Sequence, residues 1–427
     1  MIEAAAGRWR AAATLSCSLA IQMVATASTL AFAVLAPVIP GVELASVGIY
    51  LAMVYVGGML GSLAGAGLVA GVGPVRASQL GLLAQAVALG LLATGEPQAR
   101  LLAALVSGLG YGPITPASSQ ILARSTTPER MGFVFSLKQT GVPLGGLLAG
   151  AALPLLATLW SWQAALGALA LLALLVAAIS NGQRREFDVG ATGRMTFAGN
   201  LGRLFSDVLA DSRLRSMAAV SLLFSACQLS VSGYLMVYLT TEVGIGLAQA
   251  GMVYAVTQGA GIVGRILWGH LADLTGSPRG VLIFLSVLMS ASAVATGLFT
   301  AQWTLVPLCL VSSLLGATAI GWNGVYLGEV ARLAPPGRVA SVTGGALFFT
   351  YFGVVSGPPA FGYLAERSHS LGVAYLALAV VPALSVALLL WGGRARRRAA
   401  AVAPACKSAK PAKPGKSDNP PQTPLNP

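Results

Sequence analysis

Twelve long apolar runs decide what this sequence can fold into. They fall at about 12–36, 46–70, 76–95, 100–123, 131–156, 161–180, 216–240, 247–268, 280–301, 303–329, 339–364 and 371–392. A helix that crosses a bilayer needs about 20 mainly apolar residues, and the runs have that length. They are continuous rather than alternating, which predicts helices and not a β-barrel. The chain therefore reads as an all-α membrane protein with twelve transmembrane helices. The first run follows Arg8 and Arg10 and contains Ala31-Phe32-Ala33, which imitates a signal-peptide cleavage site. It carries no charge from Ala11 to Val42, far longer than a signal segment, so it reads as the first span.

Composition agrees. Of 427 residues, 56% are hydrophobic and 9% charged, with a mean hydropathy of +0.78. A soluble domain needs more charge to cover its surface. The net charge of +13 does not indicate nucleic acid, because of where the cations sit. All but four of the 26 Lys and Arg fall in the two tails and every second loop. The exceptions are Arg100 and Arg367 in the alternate loops, and Lys138 and Arg265 inside spans. This asymmetry is the positive-inside pattern. It predicts an inner-membrane protein with both termini cytoplasmic. Cys17, Cys227, Cys309 and Cys406 show no paired spacing, so neither a disulfide framework nor a zinc site is expected.

The expected divisions are 1–180 for six spans, 181–215 for a polar linker, 216–392 for six more, and 393–427 for a disordered cytoplasmic tail rich in Pro, Lys and Arg. Within the linker, Leu201, Leu204, Phe205, Val208 and Leu209 recur at helical spacing. They fit either a helix lying on the membrane surface or a plain linker. The halves echo each other. Arg124, Pro128 and Arg130 recur as Arg332, Pro336 and Arg338, each 208 positions on, and Gly145 recurs as Gly353. Gln22 and Gln228 occupy the first and seventh spans, 206 positions apart. Small residues mark faces for close helix contact: Gly57, Gly61 and Gly65; Gly141 and Gly145; Gly146 and Gly150; Gly353 and Gly357. Pro113 and Pro116, Pro143, and Pro358 with Pro359 are expected to bend or loosen the fourth, fifth and eleventh spans.

The loop Gly269–Arg279 joins the eighth and ninth spans, and its Asp273 is the only carboxylate in the region. It resembles the short loop between the second and third helices of each half in the major facilitator superfamily: Gly, three residues, Asp, Arg, one residue, Gly, then basic residues. Gly269, Asp273, Gly276 and Arg279 fit, while Leu274 replaces the first Arg. Half a chain earlier, Ala66–Arg76 keeps Gly73 and Arg76 but has Ala70 and Gly71 where Asp and Arg belong. The resemblance covers about Ala11–Trp391. It implies two six-helix bundles related by a pseudo-two-fold axis around a central cavity, and transport by alternating access. It further implies that Asp273, Gly276 and Arg279 form a gating constellation that Arg265 joins; a simple topological anchor is the other reading of Asp273.

No enzyme signature is present. Two His and no phosphate-binding Gly-Lys-Ser/Thr loop exclude a metal triad and an ATP-driven pump, and no cofactor is expected. Polar groups inside spans are costly and mark function. Those expected to contact substrate are Lys138, Gln139, Gln22, Thr115, Gln228, Gln258, Trp322 and Asn323. For Asn323 the other reading is an interhelical hydrogen bond, and for Trp322 a packing aromatic. Lys138 lies roughly 10 Å into the membrane, counting from Met131 at about 1.5 Å per residue. A Lys there is expensive unless it meets water or an anion, or snorkels to the headgroups along its own stem.

No Asp or Glu lies near the middle of any span, unlike many proton-driven drug exporters of the family. Gly141-Val-Pro-Leu-Gly-Gly146 approaches the exporters' Gly-Pro-x-x-Gly-Gly with its proline one place late. The expected function is secondary transport of a small organic anion, carboxylate-like, with proton symport as the coupling considered. Export of amphipathic or drug-like compounds is the alternative, and a membrane sensor or scaffold a more distant one. The expected partners are the small-molecule substrate and the lipid bilayer, with no nucleic acid and a monomeric state. The topology is testable: Glu43→Cys should react with an impermeant thiol reagent from outside the cell, and labelling only after permeabilisation would contradict it.

Overall fold

The computed structural model describes residues 2–126, 131–190, 208–335 and 338–390. The described residues are overwhelmingly helical, with no strand among them. In chain order the spans are Ile2–Leu35, Leu44–Val72, Pro74–Ala93, Pro97–Tyr111 with Ile114–Ser125, Met131–Gln139 with Gly141–Leu159, and Trp162–Ser180. The second half supplies Ser212–Thr241, Leu247–Thr275, Pro278–Gly297, Leu305–Ala319 with Asn323–Leu333, Val339–Ser368, and Leu371–Leu390. Among the described residues, nine of these are long and apolar enough to span a membrane on composition alone. The fourth, eighth and eleventh are not, and these three carry polar residues toward the interior. The face where the first span begins and the twelfth ends is called the terminal face below. Most of the interfacial segment expected at 201–209 lies outside the described residues, as do Pro128, Arg130, Pro336 and the tail. Of that segment, Val208 is fully buried.

Short connectors are built from the residues that suit them. Pro74, Pro97 and Pro278 start spans, where their missing N–H is no loss. The Ser161, Ser277 and Ser370 hydroxyls accept from the N–H of Ala164, Gly280 and Val373, satisfying first-turn donors. Gly73 turns the chain from the second to the third span at φ +95°, and Gly276 caps the eighth at φ +60°. Both are left-handed conformations that favour glycine.

The two halves repeat the same packing. In the first, Gly57 and Gly61 of the second span bring its backbone against the Leu105 and Leu109 carbonyls of the fourth. In the second, Gly261 and Gly264 of the eighth span do the same against Ile320 and Ala317 of the tenth. Gly145 sets the fifth span on Met23 of the first, and Gly353 and Gly357 set the eleventh on Leu222 and Ala226 of the seventh. With no hydrophobic drive between helices in lipid, such close approach supplies the contact that side chains supply elsewhere.

Across the halves, Gly150 of the fifth span meets Gly251 and Tyr254 of the eighth, and Gly48 of the second meets the Pro358 carbonyl of the eleventh. Two hydrogen bonds close this far face. Glu366 accepts from the Ala45 N–H at 2.8 Å, and Tyr234 donates to the Leu44 carbonyl at 3.0 Å. A side chain on Gly353 would overlap the Leu222 carbonyl. Gly353→Leu should therefore cost about 1–3 kcal/mol by overpacking, read as a lowered Tm of the purified protein. Gly90→Leu, where nothing lies within 4 Å, is the control; equal Tm values for the two variants would contradict this packing.

Candidate functional site

Three spans are interrupted, and the interruptions meet. The fourth breaks between Tyr111 and Ile114, the fifth at Thr140, and the tenth between Ala319 and Asn323. Pro113 explains the first, since it cannot donate and crowds the preceding turn. The break in the tenth has no proline. Gly321 sits there, wedged against the Ala317 carbonyl, Gly264 and Trp268. The eleventh span runs through Pro358 and Pro359 without interruption.

Below the breaks lies a cavity of about 740 Å³. Two spans of each half line it: Thr115 and Ser119 of the fourth, Lys138, Gln139 and Thr140 of the fifth, Arg265, His270 and Asp273 of the eighth, and Asn323 of the tenth. The lining runs from mid-span toward the terminal face. With the far face sealed, the cavity belongs to that side alone. Much of its wall is apolar, with Phe135, Leu137, Ile266 and Leu327.

The two intramembrane cations differ in their surroundings. Arg265 is anchored. Its Nη1 donates to the Gln139 carbonyl at 2.9 Å and its Nε to the Ile320 carbonyl at 3.2 Å. Those carbonyls stand at the broken ends of the fifth and tenth spans, where helix C-termini are partly negative. One guanidinium thus stitches a break in each half. Lys138 is 1% exposed and lines the cavity, yet no hydrogen bond or ion pair holds it among the described residues. The buried Glu329 does not serve it, being 3.7 Å from Arg332. Among the described residues Asp273 is the one carboxylate lining the cavity, exposed near the terminal-face end of the eighth span.

Of the residues singled out from sequence, Lys138, Gln139, Thr115, Asn323, Arg265 and Asp273 are brought together around the cavity. The others stand behind it. Gln22 is 1% exposed and donates to the Tyr111 hydroxyl at 3.0 Å, leaving its Oε1 buried without a partner. Gln228 Oε1 accepts from Trp322 Nε1 at 3.0 Å and Asn323 Nδ2 at 3.2 Å. These are equivalent ties, from first span to fourth and from seventh to tenth. Trp322 is fully buried. Gln258 donates to the Ser232 hydroxyl at 3.3 Å and packs on Gly146. Gly276 caps the eighth span through the Asp273 carbonyl. Arg279 is turned away, donating to the Leu389 carbonyl of the twelfth span from Nη2 at 2.6 Å and from Nε at 3.0 Å. Asp273 and Arg279 form no ion pair with each other here.

A pair not singled out from sequence joins Tyr55 and Tyr111, from the second and fourth spans. The rings of Tyr55 and Tyr111 meet edge to face at 6.4 Å. Tyrosines usually sit at the membrane interface; these lie well inside their spans, and that displacement is the signal that could have marked them.

A bundle of twelve helices in two related halves, with one cavity sealed at a single face, defines a secondary transporter. The model of the Major Facilitator Superfamily matches residues 17–330, well over half of the chain, and the protein belongs to that superfamily. No curated protein matches the sequence. Among solved structures it is similar to a bacterial homolog of the human lysosomal transporter Spinster in an inward-facing, unoccupied conformation. That likeness has a TM-score of 0.75 at 13% identity and covers 91% of this chain and 98% of that one. It is also similar to a peptide transporter, POT, in complex with sulfate, with a TM-score of 0.70 at 17% identity over 91% of this chain and 94% of that one. At such identities the likeness carries the fold alone.

Proposed function

We propose that this transporter carries a small organic anion, carboxylate in type, and that Lys138 receives it. The observation that carries the reading is a lysine side chain 1% exposed, in a cavity wall, with no carboxylate paired to it among the described residues. A charge held that way is costly unless something neutralises it, and a substrate carboxylate would do so. Arg265 adds positive charge next to it. Thr115 and Asn323 bring the starts of two half-helices, Ile114–Ser125 and Asn323–Leu333, whose N-terminal ends favour anions. Gln139 offers a further polar contact. Gln22, Gln228, Gln258 and Trp322 act by holding the wall in shape. The apolar side chains of the cavity favour a second reading, an amphipathic or drug-like substrate. The charge asymmetry of the loops supports a cytoplasmic terminal face, so the conformation described here is the inward-open one.

Asp273, Gly276, Arg279 and Arg265 are the proposed gate. As the cavity closes at the terminal face, Asp273 would find a helix end or an Arg, and Arg265 would keep or exchange its carbonyl partners. Asp273→Asn is then expected to slow turnover while leaving substrate affinity nearly intact. A large loss of affinity with normal turnover would remove Asp273 from the gate.

Lys138 decides between substrates. Losing a charge-assisted contact of about 2 kcal/mol corresponds to roughly 30-fold in affinity. Lys138→Gln should show at least that loss in proteoliposome uptake, with Lys138→Arg partly tolerated. Because the substitution removes a buried, unpaired charge, its Tm should not fall. Unchanged affinity in Lys138→Gln would overturn the anion reading and put the exporter reading ahead.

A further inference from the structure

The terminal face carries a second basic site, remote from the cavity and unrelated to its substrate. The chain leaving the sixth span folds back as Asn181–Gln183 and Arg184–Phe187. It is pinned in place three ways. Phe187 is buried with Val75 and Ile121. The Phe187 carbonyl accepts from Arg124 Nη1 at 2.9 Å. Asp188 caps the third span, accepting from the Val75 N–H at 2.8 Å and the Arg76 N–H at 3.3 Å. The result is a fixed surface pocket of about 490 Å³ lined by Arg76, Asn181, Arg184, Arg185, Asp188 and Val189.

The charges in it do not cancel. Asp188 is engaged by the helix start and lies 3.8 Å from Arg184. Arg184 also reaches the Asn181 side-chain carbonyl at 3.3 Å. Arg76 and Arg185 have no side-chain hydrogen bond or ion pair among the described residues. Arg76 stands in the first turn of its helix, where the backbone dipole disfavours a cation. An anion from outside would offset that cost.

The surface above the pocket identifies the anion. Arg76, Leu80, Leu83 and Val87 fall on one face of the third span, and the three apolar residues are each about half exposed. On the sixth span Leu171, Leu175 and Ile179 form an exposed stripe of their own. Gln79 Nε2 donates to the Ala177 carbonyl at 2.9 Å, locking the two spans side by side at this depth. An apolar wall as tall as an acyl chain therefore ends in three guanidinium groups at the membrane boundary. Basic pockets between spans recognise anionic headgroups in this way. We propose that this pocket binds the phosphate of an anionic phospholipid whose acyl chains lie along the third and sixth spans.

The test is native mass spectrometry of the full chain in detergent, with phosphatidylglycerol or phosphatidylcholine added. The wild type should retain phosphatidylglycerol in preference. The double variant Arg76→Gln with Arg185→Gln should lose about tenfold in phosphatidylglycerol affinity, the size of one phosphate contact, and keep its phosphatidylcholine adducts. The pair Arg76→Lys with Arg185→Lys should keep part of the preference. A tail pair, Arg396→Gln with Arg397→Gln, removes the same charge and should leave the preference intact. The proposal fails if the wild type shows no preference, or if the tail pair loses as much as the pocket pair, which would make the effect diffuse charge. It also fails if millimolar inorganic phosphate displaces the lipid, which would make the pocket a site for the free ion.

Discussion

In lipid, each backbone polar group must find its partner within the protein. That constraint makes the spans helical, and it also dictates where they can break. The interruptions in the fourth, fifth and tenth spans lie at the head of one cavity. Arg265 serves two of them at once, taking the Gln139 carbonyl from one half and the Ile320 carbonyl from the other. A charged side chain inside the membrane is thereby matched to the negative ends of two half-helices. The residue that looks most expensive in the eighth span holds the broken backbone of the fifth and tenth.

With Arg265 occupied in this way, Lys138 is left, among the described residues, as a cation of the cavity wall without a partner. The distinction follows from chemistry as much as position. A guanidinium presents several donors in a rigid fork and can bridge two carbonyls. An ammonium on a flexible stem is a point charge that gains most from a single anion. The glycine faces make the arrangement movable. Those within each half, at Gly145 and Gly353, lock the bundles, while those between halves, at Gly48 and Gly150, close only the far face. Opening that face requires the Glu366 and Tyr234 hydrogen bonds to the second span to break, and the buried contacts of Gly48 with the Pro358 carbonyl and of Leu51 with Gly233 to part.

Much of the fold was legible in the sequence, because length and polarity of apolar runs are one-dimensional quantities. So was the repeat: Gly145 and Gly353, matched by their spacing, perform the same packing on the first and seventh spans. Azimuth was less legible. A helix apolar on all sides gives depth but not direction, so Lys138 and Gln22 looked alike, yet one lines the cavity and the other braces Tyr111 behind it. The break in the tenth span escaped notice because it depends on Gly321 fitting against Gly264 and Trp268 rather than on a proline. The tyrosine pair depends on two spans converging, and no local pattern announces that. Arg279 could be placed in its loop from sequence, but its partner, the Leu389 carbonyl, lies on a helix that begins more than ninety residues later.

Lys138 calls for a negative charge that no described residue pairs with it, and the substrate would bring it. The most direct measurement varies the ligand and leaves the protein intact. Purified wild-type protein in proteoliposomes would be offered labelled carboxylates, each beside its uncharged amide of the same shape, together with lipophilic cations. The account predicts that at least one carboxylate is carried and that its amide is carried roughly 30-fold less well, the loss of one charge-assisted contact. Equal transport of acid and amide, or transport of the cations alone, would contradict it.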